Sequence, residues 1–485
     1  MKITRNAIAP LIILCLASFL SFIPMFLQAR DLWDGVVISH AFESGNREIY
    51  WNWFIESGWF LTPIMYDVFF YIFSDKTFLL AIQLTMITCH IISTIYIYRL
   101  SKLIFKCSDI SAVVGSLIFA FSPIWSIYYS TVFLMHSITL ALALFCVEKI
   151  ILCKDNKRLV FYYLLSFITY QQVSCAVLII TLLATNIMLN YKDKHEVKVC
   201  FSYIIISSIY FISTRLIFPA HGLYLGYNEI EIKNIFNESI WKTFFNFINN
   251  VYPLFAILTL VLLVDKISNI KLVIISAIML VVNMIPFVLV GKPAWYSHLF
   301  GVQGWDQRQA ITIVTVLSLI FSAMSNSLIS SNKIVSRIVV IFILVYTFTY
   351  SFYQYYGSIL IKNKAIILQD GIESSINKYK NEIGECGLIV KLNSPSNYNY
   401  FNNYELTYIA NKVFGSYLYS KFDWENDPEI FEKEIYQDKY MLPSKKPSCM
   451  KSLEINSENI HIISGLNLIG DRVDVRFSSR IIYDN

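Results

Sequence analysis

The sequence predicts a mainly α-helical, polytopic membrane protein: a bundle of about eleven transmembrane helices, followed by a C-terminal α+β domain outside the membrane. Two observations favour this fold class. Hydrophobic residues make up 56% of the 485 residues and charged residues only 15%, whereas soluble domains are about a quarter charged. The apolar residues also fall in separate runs, most of them near the roughly 20 residues that cross a bilayer as a helix. Most of this chain therefore cannot face water.

The first apolar run, residues 7–27, resembles a signal peptide because Lys2 and Arg5 precede it. A cleavable signal has an apolar stretch of about 7–15 residues, and this run is longer and has no clear cleavage site after it. We therefore expect a retained first helix. The eleven predicted spans are residues 7–28, 77–98, 111–129, 131–148, 159–172, 174–190, 199–218, 244–264, 272–290, 310–329 and 338–357.

The positions of Lys and Arg predict which loops face the cytoplasm. The loops assigned to the inside carry sixteen basic residues and those assigned to the outside carry seven, and a basic excess marks the cytoplasmic side. The N-terminus is then cytoplasmic and the C-terminus is outside. Residues 58–74 are also apolar, but they contain Pro63 and Asp67, and counting them as a span would reverse every later loop. We expect them to form a helix in the outer interface.

Two domains are predicted, a transmembrane domain of residues 1–357 and a polar domain of residues 358–485. The first outer loop, residues 29–76, is long, acidic and aromatic, whereas every inner loop is about a dozen residues or shorter. Chemistry is therefore expected on the outer face. The polar domain contains three strand-like runs: Gly387–Leu392, Ile460–Ile463 and Val473–Phe477.

Cysteine positions predict one disulfide. Of nine cysteines, only Cys386 and Cys449 fall in the polar domain. Two cysteines in an oxidising compartment favour a bridge. The alternative is a pair of buried free thiols.

Acidic residues directly after the first span are candidate catalytic groups. In Arg30-Asp-Leu-Trp-Asp-Gly35, a helix would place Asp31 and Asp34 on one face. Carboxylates at the outer mouth of a membrane cavity can deprotonate a sugar hydroxyl, or bind a metal ion or a sugar. The alternative is an N-cap and solvated acids of a turn. The sequence does not separate Asp31 from Asp34, and Glu43 is a third option.

Three cations at the outer edge are candidate ligands for an anionic group. They are Arg308, Arg215 and Lys292, and the arginines rank first because guanidinium binds phosphate through two hydrogen bonds. Arg215 lies near the end of its span, so the alternative for it is extension toward the lipid headgroups. His136 is expected to be a packing residue. The outer-loop aromatics are expected to form a membrane-interface belt, the alternative being that they stack on sugar rings.

Several classes of function are excluded by missing motifs. The sequence contains no Walker A motif, no dinucleotide fingerprint after a strand and no zinc-ligand spacing. ATP-driven transport and the use of a nucleotide sugar on the inner face are therefore not expected. A net charge of +5 is too small to predict nucleic-acid binding.

The order of these features resembles the GT-C glycosyltransferases: an acidic residue after the first span, then in-plane aromatic helices, then a second span. The segment Glu56-Ser-Gly-Trp-Phe-Leu-Thr-Pro63 is similar to that superfamily. So is Arg99-Leu-Ser-Lys-Leu-Ile-Phe-Lys106, which leads into a span ending Phe121-Ser-Pro123.

More narrowly, the length, the topology and the pattern Asp31…Trp53…Gly58-Trp-Phe-Leu61 resemble the serotype-converting O-antigen glucosyltransferases (Gtr group, type II-like). The likeness covers roughly residues 1–130 by motif and 1–357 by topology. The family's Gly-Arg-Pro-Leu-type turn stands here as Gly-Trp-Phe-Leu.

The resemblance implies a GT-C-like catalytic domain in a bacterial inner membrane. It implies inverting transfer of glucose from undecaprenyl-phosphate glucose to a sugar of lipid-linked O-antigen on the periplasmic face. The base would be Asp31, Asp34 or Glu43, and the donor phosphate would meet Arg308, Arg215 and Lys292. Membrane lipid, a donor synthase and a flippase would be partners, with no nucleic acid. No cofactor is assigned, and a requirement for a divalent metal ion is left open.

Two other functions compete with this one. An O-antigen polymerase or ligase also acts on lipid-linked glycans outside, but such enzymes carry a large basic outer loop late in the chain. A flippase of lipid-linked sugars would need polar residues across the midplane, and the predicted spans have few.

Overall fold

The computed structural model describes most of the chain. The described residues are 8–27, 31–32, 34–73, 75–191, 194–226, 229–253, 255–265, 270–292, 305–330, 334–393, 403–415, 420–422, 448–461 and 474–482.

Helices dominate the structure up to residue 378. They are α1 (Ile8–Leu27), α2 (Asp34–Ser44), α3 (Glu48–Glu56), α4 (Leu61–Ile72), α5 (Asp75–Ile104), α6 (Asp109–Ala120), α7 (Leu134–Leu152), α8 (Asn156–Ser166), α9 (Val173–Asn190), α10 (Lys194–Ile217), α11 (Glu238–Val251), α12 (Phe255–Asp265), α13 (Ile270–Leu289), α14 (Ile311–Ile329) and α15 (Ile334–Lys378). Short 3-10 helices cover Pro123–Tyr129, Thr131–Phe133, Phe167–Gln171, Gly222–Tyr224, Ile232–Phe236 and Trp305–Ala310.

Six of the described helices are long and apolar enough to cross a membrane. They are Thr77–Ile104, Thr131–Leu152, Val173–Asn190, Lys194–Ile217, Ile270–Leu289 and Arg308–Ile329. A seventh span exists if Asp109–Ala120 and Pro123–Tyr129, which meet at 46°, count as one broken helix. By the length and composition of these helices, the chain is a helical membrane protein.

Three predicted spans are not continuous helices, so the count of eleven is not confirmed. One is residues 111–129, which contain the bend of 46° described above. Residues 159–172 form the end of α8 and a 3-10 helix. Residues 244–264 fall into α11 and α12, and Pro253, which has no N–H to donate within a helix, lies at the break. Residues 58–74 contain α4, whose 12 residues extend only about 18 Å. That is shorter than the roughly 30 Å hydrocarbon core, and its place in the interface stays a prediction.

Helix α14 is the centre of the bundle. Its most apolar stretch is 89% buried, and α6 and α13 pack against it. Gly115 of α6 permits the closest approach, because a Cβ there would lie 1.9 Å from the hydroxyl oxygen of Ser322 and 2.4 Å from the carbonyl oxygen of Ser318. Small residues at helix interfaces allow such contacts within a membrane.

The predicted outer loops contact one another. The backbone N–H of His221 donates to the carbonyl oxygen of Glu56 at 2.9 Å, which joins loop 219–243 to loop 29–76. The N–H of Glu231 donates to the carbonyl oxygen of Leu289 at 2.9 Å, which joins the same loop to the end of α13. These contacts agree with one shared side for the three predicted outer loops, which are residues 29–76, 219–243 and 291–309, the last of which follows α13.

Residues of the predicted inner loops are also joined to neighbouring helix ends. The backbone N–H of Ser108 donates to the side-chain oxygen of Asn326 at 2.8 Å. The side-chain amide of Asn190 donates to the carbonyl oxygen of Ile104 at 2.6 Å. Which set of loops faces the cytoplasm stays a prediction.

The C-terminal part is a four-stranded sheet with helices. Its strands are β1 (Gly387–Asn393), β2 (Ser420–Phe422), β3 (Met450–His461) and β4 (Asp474–Ile482), with α16 (Lys380–Ile383) before β1 and α17 (Asn403–Phe414) between β1 and β2. The strand order is β2-β1-β3-β4; β1 pairs in parallel with β2 and β3, and β4 is antiparallel to β3. The sheet has its own apolar core, which includes Ile372, Leu388, Leu406 and Leu453.

The predicted domain boundary at residue 357 lies inside α15. This helix has 45 residues and is about 68 Å long, roughly twice the hydrocarbon thickness. The change from apolar to polar sequence therefore falls within one continuous helix. A disulfide joins Cys386 and Cys449, the two cysteines that the sequence analysis pairs, with Cα atoms 4.9 Å apart.

Sidedness can be tested with two matched cysteine variants. Lys157 lies in a predicted inner loop and Lys233 in a predicted outer loop, and both are exposed. We expect a membrane-impermeant thiol reagent added to intact spheroplasts to label Lys233→Cys and not Lys157→Cys, with the parent protein as background. The reverse labelling would overturn the predicted orientation.

Candidate functional site

The carboxylate of Asp31 is buried at the base of the first outer loop. It is 5% exposed and accepts hydrogen bonds from four donors. One oxygen accepts the backbone N–H groups of Leu32 and Thr131, both at 3.0 Å, and the other accepts the hydroxyls of Ser39 at 2.7 Å and Thr131 at 2.5 Å. Burial raises the pKa of Asp31 from 3.8 to about 6, against the opposing effect of these hydrogen bonds.

This carboxylate fixes where α2 begins. Gly35 packs directly on it, because a Cβ at this position would lie 1.9 Å from an Asp31 oxygen and 2.6 Å from the Ser130 hydroxyl. The N–H of Gly35 donates to that hydroxyl at 3.1 Å. The hydroxyl of Tyr66 on α4 donates to the carbonyl oxygen of Thr131 at 2.8 Å. The start of α2 and helix α4 are thereby both tied to the break between α6 and α7.

The fixed start of α2 places Asp34 at the wall of a large cavity. The cavity has a volume of about 810 Å³, which is within the range of small-molecule sites. Its wall is built from the three predicted outer loops and from helices α3, α7, α9, α10 and α13. Its charged side chains are Asp34, Arg215, Lys292 and Arg308, all of them half-buried.

Much of the remaining wall is apolar. Its aliphatic side chains come mainly from α9 and α13, and its aromatic side chains come from α3, α10, α13 and the loops. These residues are Trp53, Phe54, Trp59, Val132, Val173, Val177, Ile180, Phe211, Phe218, Tyr224, Ile230, Val282, Ile285, Pro286, Phe287, Leu289 and Val290. An apolar cavity with a few convergent charges suits an amphiphilic ligand better than a small ion.

Three buried polar side chains line the same cavity, and each has a polar atom that lacks a hydrogen-bond partner among the described residues. They are His136 at 6% exposure, Gln172 at 7% and Gln309 at 1%. The Nδ1 atom of His136, the Nε2 atom of Gln172 and the Oε1 atom of Gln309 have no hydrogen-bond partner among the described residues. Buried polar atoms are normally paired, so these three atoms are suited to bind a polar ligand.

Six residues were predicted as candidate bases or phosphate ligands. Four of them line the same cavity, and the other two lie outside its lining. Asp34, Arg215, Lys292 and Arg308 line one cavity. Asp31 is outside that lining and is occupied by its four donors. Glu43, in the last turn of α2, is exposed and also outside the lining.

Other lining residues were not predicted as site residues. His136 was expected to be a packing residue and Trp53 and Trp59 to be membrane-belt aromatics. The ring of Trp59 lies 5.5 Å from the ring of His136, and the indole N–H of Trp53 donates to the hydroxyl of Tyr224 at 2.5 Å. No local pattern around His136, Gln172 or Gln309 marks them, since only the fold brings them together.

The C-terminal part also reaches this region. Helix α17 packs on α2, and the ring of Tyr408 lies 4.8 Å from the ring of His40. Burial lowers the pKa of His40 to about 4, so the ring is neutral at neutral pH.

Within the described residues, no group of three or more His, Cys, Asp or Glu side chains lies close enough together to hold a metal ion.

Comparison with known proteins gives no match: no family model, no curated protein and no solved structure is significantly similar to this chain. The site is therefore interpreted from its own residues.

Loss of the Asp31 carboxylate is expected to weaken the fold. In Asp31→Asn, the side-chain NH₂ would face groups that now donate, and a buried unpaired polar group costs about 1–3 kcal/mol. We expect a lower thermal midpoint in detergent by intrinsic fluorescence, whereas Asp34→Asn retains the wild-type midpoint. Equal midpoints for Asp31→Asn and wild type would contradict the buried network.

The raised pKa of Asp31 predicts a pH dependence. Between about pH 4 and about pH 6 the folded protein holds a proton at Asp31 that the unfolded chain has released, so stability falls as pH rises through this window. Asn does not titrate. The advantage of wild type over Asp31→Asn in thermal midpoint should therefore shrink from pH 4 to pH 6 and then level off. A difference that does not change with pH would show that Asp31 has an ordinary pKa.

Proposed function

We propose that this protein is an inverting GT-C-type glucosyltransferase that transfers glucose from undecaprenyl-phosphate glucose to a sugar of lipid-linked O-antigen on the periplasmic face. The observation that carries the proposal is the single cavity in which Asp34 meets Arg215, Lys292 and Arg308 beneath aromatic and apolar walls. A polyprenyl-phosphate sugar has matching parts: a phosphodiester, a hydroxylated ring and an apolar chain.

The three cations suit the phosphate of this donor. Their positive charge exceeds the single carboxylate of the lining, so the cavity favours an anionic group. Positive groups aimed at the departing phosphate stabilise the charge that develops on it as the glycosidic bond breaks. Arg215 lies over the ring of Phe211, with 5.5 Å between guanidinium carbon and ring centre, which holds it toward the cavity side of α10.

Asp34 is the base in this proposal. It removes the proton from the acceptor hydroxyl, the hydroxyl oxygen attacks the anomeric carbon, and the bond from that carbon to the phosphate oxygen breaks. Polyprenyl phosphate leaves with the electron pair. Because the attack comes from the face opposite the phosphate, a β-linked donor gives an α-glucosyl product. Asp31 cannot take this part without breaking its hydrogen bonds to Thr131 and Ser39.

The remaining walls fit the sugar and the lipid. His136, Gln172 and Gln309 present buried polar atoms, which can bind the hydroxyls of the glucose ring. Val177 and Ile180 of α9, with Val282 and Ile285 of α13, form an apolar surface for the first isoprene units. The remaining isoprene units of the donor would lie in the membrane.

Neutralising Asp34 is expected to abolish transfer and spare folding. With synthetic polyprenyl-phosphate glucose and acceptor lipid in purified membranes, Asp34→Asn should lose about 10²–10⁴-fold in rate, the usual contribution of a general base. Glu43→Gln is the matched control and should retain the wild-type rate, because Glu43 lies on the same helix outside the cavity. If Asp34→Asn, alone and combined with Asp31→Asn, still glucosylates at the wild-type rate, Asp34 is not the base.

Neutralising the arginines is expected to weaken donor use. A hydrogen bond to a charged group contributes roughly 1.5–3 kcal/mol, so Arg308→Gln and Arg215→Gln should each reduce kcat/KM for the donor about 10- to 100-fold. Arg47→Gln is the control, because Arg47 is an outer-loop arginine that instead pairs with Asp67 and Tyr71. Full activity of the Arg215, Arg308 double variant would exclude this phosphate site.

The alternative functions leave different products in the same cells. A glucosyltransferase adds a branch to the O-antigen, a polymerase or ligase changes chain length or attachment, and a flippase leaves lipid-linked sugar in the inner leaflet when it is removed. Composition and linkage analysis of O-antigen with and without the protein separates them.

A further inference from the structure

A second cleft lies beside the large cavity, between the loop after α10 and helix α11. Its volume is about 690 Å³, again within the range of ligand sites. Most of its lining residues are polar, unlike those of the large cavity. The lining residues are Gly226, Glu229, Glu231, Asn234, Asn237, Ser239, Ile240, Lys242, Thr243, Asn246, Val290 and Gly291.

One wall of the cleft is the polar face of an amphipathic helix. Ser239, Lys242, Thr243 and Asn246 of α11 follow the three- and four-residue spacing that puts side chains on one face. Other positions of the helix, such as Phe244, Phe247 and Val251, are buried in the bundle. Because the apolar face of α11 packs against the bundle, the opposite face, which carries these four residues, has a fixed position.

The opposite wall is fastened to the helix that lines the large cavity. The backbone N–H of Glu231 and the side-chain amide of Asn234 both donate to the carbonyl oxygen of Leu289, at 2.9 Å and 3.4 Å. Val290 lines the cleft and the large cavity alike. Two residues later, Lys292 belongs to the large cavity. The cleft and the large cavity are therefore adjacent, with Val290 between them.

Charge distinguishes the two sites. The cleft presents the carboxylates of Glu229 and Glu231 and one cation, Lys242, and Glu231 is paired with Lys233 at 3.2 Å. An anionic group would meet these carboxylates, so the cleft does not suit a second phosphate. Amides, hydroxyls and carboxylates together offer the donors and acceptors that pair with neutral hydroxyl groups.

We infer that this cleft binds an uncharged oligosaccharide and is the site for the acceptor glycan, from which one sugar reaches across Val290 into the large cavity. The acceptor role rests on the proposed function, whereas the glycan-binding property does not. The cleft is open along exposed residues such as Glu229, Asn237 and Asn246, which suits a chain of several sugars rather than a single enclosed one.

The test is binding of full-length protein in lipid nanodiscs to an immobilised panel of neutral bacterial oligosaccharides of several sugars. We expect wild type to bind at least one of them. The double variant Glu229→Gln with Asn246→Trp removes an acceptor and fills the cleft, and should lower that affinity at least about tenfold. The matched control is Glu238→Gln with Asn249→Trp, which makes the same changes at exposed sites outside the lining and should bind as wild type does.

Cross-linking of a photoreactive polyprenyl phosphate to the same proteins is the companion measurement. It should be unchanged in the cleft variant and reduced in Arg308→Gln. If the cleft variant loses glycan binding but wild type shows no glucosyl transfer, the glycan site is supported and the proposed function is refuted. Failure of wild type to bind any panel member, or equal binding by the cleft variant, would overturn the inference.

Discussion

The buried carboxylate of Asp31 is the interaction on which the arrangement of loop 29–76 depends. It gathers four donors from the start of α2 and from the break before α7, two segments that are about one hundred residues apart in the chain. A carboxylate in an apolar environment is costly unless its lone pairs are satisfied, so the surrounding backbone has little freedom. The first outer loop cannot slide along the bundle without leaving this charge unpaired.

The position of the cavity follows from that constraint. Because Gly35 lies against Asp31 and Ser130, Asp34 begins α2 at a fixed place in the wall of the cavity that α7, α10 and α13 also line. The cations that share the cavity come from three other parts of the chain, with Arg215 at the end of α10, Lys292 after α13 and Arg308 before α14. Helix ends in a membrane bundle meet at the same level, so residues far apart in sequence become neighbours there. The site is thus a product of bundle geometry rather than of any local motif.

Helix α11 shows how one backbone feature changes the layout of a membrane protein. A continuous span over residues 244–264 would put Asn246 and Asn249 in the hydrocarbon. The helix is instead interrupted at Pro253, which cannot donate a helical hydrogen bond, and α11 has Phe244 and Phe247 buried and Lys242 and Asn246 exposed. The break supplies the polar wall of the second cleft, which a regular span would not have provided.

The sequence by itself predicted that most of this chain lies in a membrane. It also predicted the apolar helices, the acidic and aromatic loop 29–76, the disulfide between Cys386 and Cys449, and a short list of candidate acids and cations. Periodicity and composition are local quantities, and they carry this information directly. Only the tertiary structure distinguishes the surroundings of Asp31 and Asp34, which follow the same span: Asp31 accepts hydrogen bonds from Thr131, whereas Asp34 lines the large cavity. It also brought His136, Gln172 and Gln309 to that cavity, because an unpaired buried atom is defined by its neighbours and not by its place in the chain.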